Sequence, residues 1–105
     1  MTRETDSCIL ELVQFRLRPG TDPAAFLAAA RATEAPLRAC PGFRRRQLCA
    51  DGDDWADLVE WDSLTAAQAA AGAMMAHPAF GPFMAMIAPE GLRMAHLARH
   101  WQMAG

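Results

Sequence analysis

From position 8 to 17 the chain reads CILELVQFRL, with large apolar side chains at both odd and even positions. In an extended strand, Ile9, Glu11, Val13, Phe15 and Leu17 share one face; Leu10, Leu12, Gln14 and Arg16 share the other. Apolar residues on both sides predict a strand covered on both faces. Arg18-Pro19-Gly20 ends it. Asp22 is a natural N-cap with Pro23 at the first helical position. Phe26, Ala30, Thr33 and Leu37 then recur at helical spacing as a mostly apolar stripe, and Pro36 kinks or ends that helix. Residues 40–42, CPG, form a turn. FRRRQLC (43–49) predicts a second strand, ADGDD a tight polar turn, and WADLVEW (55–61) a third strand, apolar on both faces apart from Asp57 and Glu60. Ser63 caps a second, alanine-rich helix from about 64 to 76, and Pro78 breaks it. A short helical turn resumes through Phe80, Phe83, Met84 and Ile87, and Pro89-Glu90-Gly91 stops it.

The last segment, LRMAHLARHW (92–101), reads two ways. Its arginine, methionine, alanine and leucine content favours a helix. As a strand, Met94, His96, Ala98 and His100 share a face opposite Ala95, Leu97, Arg99 and Trp101. The strand reading completes a β-α-β-β-α-β order, the ferredoxin-like split βαβ pattern of an α+β domain. No repeat, linker or low-complexity tract divides the chain, so residues 1–105 are expected to form one domain.

The formal charge of −2 argues against nucleic acid or an anionic membrane as the main partner. All ten basic residues are arginines, which removes a lysine Schiff base or lysine general base; the lack of tyrosine removes a tyrosine acid. Cys8, Cys40 and Cys49 lie in no metal-binding spacing and read as reduced thiols behaving as small buried hydrophobes. The start, MTRETDSC, has no apolar core of a signal peptide, and no run is long enough for a membrane span, so the expected location is cytoplasmic. No phosphate loop, dinucleotide fingerprint or serine-nucleophile elbow is present. Residues 44–46, RRR, alternate faces and read as a solvated edge-strand device that discourages aggregation.

Four motifs in order carry a family resemblance: ELVQFRLRPG in the first strand, PGF (41–43) entering the second, LVEWDS (58–63) joining the third strand to the second helix, and HPAFGPFM (77–84) at that helix's end. In their spacing the chain resembles the dimeric α/β-barrel superfamily, and within it the antibiotic-biosynthesis-monooxygenase-like proteins, over about residues 8–101. The resemblance tips the last segment towards a strand. It implies a four-stranded antiparallel sheet with helices on one face, and a homodimer in which two such sheets pack face to face. It also implies a pocket between sheet and second helix, and no cofactor. Relatives of this kind oxidise phenolic polyketides, degrade haem, isomerise lactones or bind small molecules. The haem-degrading residues would fall at about Val13, Met74 and Met84, and none matches. Trp61, Trp101 and Arg93 are partial stand-ins for the polar and aromatic groups of the quinone-forming members.

Within that frame Glu11 is the leading candidate. A carboxylate among apolar neighbours is costly unless paired, and it is placed to act as a base. His96 or Arg93 could be its partner across the first and last strands; the alternative is a structural ion pair with an arginine. His77, just before Pro78, either interacts with the helix C-terminal carbonyls or serves as an acid/base at the pocket rim. His96 and His100 would share a face of a helix and could hold one metal; on a strand they stand about 13 Å apart at roughly 3.3 Å per residue, so no metal is expected. Val13, Trp61, Met74, Phe80, Phe83, Met84 and His100 are the candidate ligand contacts, and core packing is the ordinary reading of the apolar ones. The expected ligand is a small apolar or aromatic molecule. Cofactor-free oxygenation, non-catalytic binding in a stress-associated dimer, and cofactor-free isomerisation or cyclisation all suit such a pocket.

Overall fold

The structure, a computed structural model, describes residues 8–105. The reading of the start of the chain lies partly outside them, at residues 1–7. The elements run β1 (Ile9–Phe15), α1 (Pro23–Ala32), α2 (Glu34–Arg38), β2 (Phe43–Asp51), β3 (Asp54–Trp61), α3 (Leu64–Met75), α4 (Phe80–Ala85) and β4 (Arg93–Ala98). The strands form a four-stranded sheet in the order β2-β3-β1-β4, all neighbours antiparallel. This is the ferredoxin-like α+β arrangement. No helix among the described residues is long and apolar enough to cross a membrane.

Local chemistry sets the helix starts. Asp22 accepts a hydrogen bond from the Ala24 N–H at 3.1 Å, with Pro23 at the first helical position. Ser63 accepts from Ala66 N–H at 3.1 Å. The chain breaks between α1 and α2 at Thr33, and Pro36 sits inside α2 within its first turn, where a missing N–H costs nothing. All four stripe positions, Phe26, Ala30, Thr33 and Leu37, are buried. On α3 the buried face is Ala67, Ala70 and Met74. Gly42 takes a left-handed φ of 86°, and a Cβ there would stand 2.6 Å from the Ala66 Cβ. Only glycine lets the start of β2 approach α3 this closely.

Sheet parity divides the molecule. Glu11, Val13, Phe15, Trp55, Asp57, Val59 and Trp61 share the helix-facing side by register, and the core lies there. One cluster holds Leu37, Val59, Trp61, Ala67, Ala70 and Met74; the other holds Phe15, Phe26, Ala30, Phe83 and Ile87. Hydrogen bonds from Arg18 N–H to Met86 O (2.9 Å) and Ala88 N–H to Arg16 O (2.8 Å) tie the end of α4 to the chain just past β1. No helix among the described residues covers the second face. Leu10, Leu12, Ala56, Leu58 and Ala95 are half-buried there, and Leu97 is 45% exposed.

Two expectations need correction. The last segment is a strand, but the strand ends at Ala98, and Trp101 is 76% exposed. The strand pairs with β1 from Gln14 opposite Arg93 to Ile9 opposite Ala98, and one further backbone hydrogen bond runs from Arg99 N–H to Cys8 O at 3.2 Å. Of the cysteines, Cys8 is buried, Cys40 is half-buried, and Cys49 is exposed rather than buried because its parity puts it on the uncovered face.

Candidate functional site

Between the sheet and the helices α3 and α4 lies a chamber of about 190 Å³. Its floor is a row of residues running across the strands. In register, Arg46 of β2 stands opposite Val59 of β3, Val59 opposite Glu11 of β1, and Glu11 opposite His96 of β4. Met74, Phe80, Phe83 and Met84 line the helix side. The wall is mostly apolar, with its few polar groups converging from the floor, the usual composition of a small-molecule site.

Glu11 is fixed by a neighbour. Trp61 is almost fully buried, and a buried indole N–H requires an acceptor. It donates to Glu11 Oε1 at 2.8 Å. That bond holds one carboxylate oxygen and leaves Oε2, which lies 3.9 Å from His96 Nε2, an ion pair when the imidazole is protonated. The Glu11 side chain is only 13% exposed and that of His96 30%, so the pair sits at the chamber's edge with His96 towards solvent. Arg93 is not the partner, because it pairs in register with Gln14 on the other face.

At the opposite end of the row is a group that sequence reading missed. Arg46 grips Asp57 with two parallel hydrogen bonds, Nε to Oδ1 at 2.9 Å and Nη2 to Oδ2 at 2.7 Å. Its Nη1 donates to Thr33 Oγ1 at 2.7 Å, and the Thr33 hydroxyl donates in turn to Ala30 O. The guanidinium also lies over the Phe83 ring, 5.1 Å from its centroid. Arg46 was expected to be one of three solvated arginines. A β-bulge between Phe43 and Arg45 reverses that: Phe43 pairs with Trp61, Arg45 with Glu60 and Arg46 with Val59. The extra residue flips the parity of β2, so Arg46 points inward. Asp57 was the available signal, since its parity with Val59 and Trp61 puts a carboxylate on the covered face, where it needs a cation.

Val13, Trp61, Met74, Phe80, Phe83 and Met84 all line the chamber, as does Glu11. Three predicted residues are not part of the lining: His96 flanks it beside Glu11, and His77 and His100 lie elsewhere. His77 is exposed between α3 and α4, and its Nδ1 accepts from Ala79 N–H at 3.1 Å, so the break at Pro78 turns it away from the sheet. His100 is exposed beyond the end of β4 and is not part of the lining, because the strand stops before it.

No family model matches the sequence, and no curated protein matches it either. Solved structures do. SnoaB, a cofactor-independent oxygenase from Streptomyces nogalater, superposes with a TM-score of 0.73 at 17% identity, covering 94% of this chain and 99% of SnoaB. Rv0793 from Mycobacterium tuberculosis gives 0.69 at 22% identity, covering 93% and 100%. A Bordetella bronchiseptica protein provisionally assigned as an antibiotic biosynthesis monooxygenase gives 0.75 at 13% identity, covering 89% and 97%. At these identities the likeness is one of fold, and it agrees with the family resemblance carried by the motifs.

The inward ion pair makes a testable stability prediction. Arg46→Ala would leave Asp57 as a buried carboxylate without its cation, at an expected cost of about 3–5 kcal/mol in urea denaturation. Replacing both, Arg46→Met with Asp57→Leu, is expected to recover most of that loss. A double variant as unstable as the single one would contradict the pairing.

Proposed function

We propose that this chain is a cofactor-independent monooxygenase-like protein acting on a small apolar or aromatic molecule held in the chamber. The observation that carries the reading is the Glu11 carboxylate on the chamber floor, with one oxygen anchored by Trp61 and the other beside His96, whereas both oxygens of Asp57 are held by Arg46. The fold shared with SnoaB supports it. Glu11 takes a proton from an acidic C–H of an aromatic ketone or phenol, and the electron pair passes into the ring system. The carbanion gives electrons to O₂ and the two recombine as a peroxide. Loss of water leaves a new carbonyl, so that CH₂ plus O₂ gives C=O plus H₂O. His96, at the solvent edge, relays the proton. Trp61 acts as a positioning residue, and Met74 and Met84 adapt the wall to the ligand.

Anthrone, an aromatic ketone with one acidic methylene, is a suitable probe. Wild-type protein is expected to consume oxygen and form anthraquinone. Glu11→Gln, which preserves an acceptor for Trp61, is expected to lower turnover about 10²–10⁴-fold, the usual worth of a general base. Undiminished turnover in both Glu11→Gln and His96→Ala would sink the mechanism. Saturable anthrone binding without oxygen uptake would favour the non-catalytic binding reading, and conversion without oxygen uptake an isomerase or cyclase.

A second copy of the chain is the proposed partner for the uncovered sheet face, where Leu10, Leu12, Leu58 and Leu97 would pack against their counterparts. Native mass spectrometry is expected to give a dimer, and Leu12→Arg a monomer. A strictly monomeric wild type would overturn this part of the reading.

A further inference from the structure

We propose that Arg46 is the specificity-determining end of the chamber and binds a carbonyl or carboxylate oxygen of the ligand. The inference rests on the chamber being the ligand site, and it adds the class of ligand: an apolar or aromatic body bearing an acceptor oxygen. Arginine carries five N–H donors. Asp57 and Thr33 engage one each on Nε, Nη1 and Nη2. One N–H on Nη1 and one on Nη2 therefore remain without a protein partner among the described residues. Both terminal nitrogens belong to a side chain that is only 14% exposed and lines the chamber. A buried donor without an acceptor is costly, and a ligand oxygen supplies one.

Rigidity favours the assignment. Asp57, Thr33 and the Phe83 ring hold the guanidinium on three sides, so its remaining donors are fixed before a ligand arrives. Its position sets a ruler. Arg46 and Glu11 are two strands apart in the same row, about 10 Å between backbones at roughly 4.8 Å per strand. Val59 is the apolar spacer between them. A flat molecule lying over Val59 would thus offer an oxygen to Arg46 while its far edge met Glu11. Arg46 and Leu37 also form the shared wall between the chamber and an outer cleft of about 470 Å³ lined by Arg31, Arg38, Arg44 and Arg45.

Ligand-detected NMR titration with naphthalene, 2-acetylnaphthalene and 2-naphthoate tests the inference on the intact protein. The two oxygen-bearing probes are expected to bind wild type about tenfold or more tightly than naphthalene. That ratio is expected to fall to near one in Arg46→Met/Asp57→Leu. Arg46→Lys keeps the charge without the planar fork and is expected to bring the ratio within about threefold of one. Tighter binding of the naphthoate would identify an anionic ligand, and tighter binding of the ketone a neutral carbonyl. Equal binding of all three by wild type, or a preference that survives in both variants, would overturn the role of Arg46 while leaving the chamber as the site. Failure of wild type to bind any of the three would overturn the chamber reading as well.

Discussion

Arg46 holding both oxygens of Asp57 on the covered side of the sheet is the contact around which the rest of the site is arranged. Two charges in a low-dielectric interior are tolerable only with good geometry and satisfied neighbours. Thr33 takes one guanidinium N–H and returns its own to the backbone of α1, while Phe83 on α4 covers the planar face. One ion pair thus joins β2 and β3 to the end of α1 and to α4. The chamber exists because these elements meet over the sheet without filling the space between Val59 and the methionines of the helix side.

Glu11 obeys a related constraint at the other end of the row. Trp61 fills the core under α3, and its indole N–H must find an oxygen. A carboxylate one strand away satisfies it and keeps a second oxygen for other use. The same residue therefore belongs to the packing and to the proposed chemistry. Its polarity on an otherwise apolar face reflects both.

Much of this was legible from residue patterns. Asp22, Pro23 and Ser63 fix helix starts through local hydrogen bonds, and the stripe of Phe26, Ala30, Thr33 and Leu37 reads the buried face directly. The lining by Val13, Trp61, Met74, Phe80, Phe83 and Met84 follows from the order of elements. Propensity alone would have made 92–101 a helix; tertiary pairing with β1 overrides it, up to Ala98 only. Alternation carries the pattern on to His100 and Trp101, but alternation does not reveal where a partner strand ends. Arg46 was hidden for a different reason. Strict alternation from Phe43 would turn it outward, and the one-residue bulge that turns it inward leaves no mark in the hydrophobic pattern.

A crystal structure of the protein with 2-naphthoate bound tests the central claim, that the cross-strand row from Arg46 to Glu11 is the floor of the ligand site. The rings are expected over Val59, the carboxylate within hydrogen-bonding distance of Arg46 Nη1 and Nη2, and the far ring edge against Glu11. Naphthoate seated in the outer arginine cleft, or an Arg46 side chain turned to solvent, would contradict it.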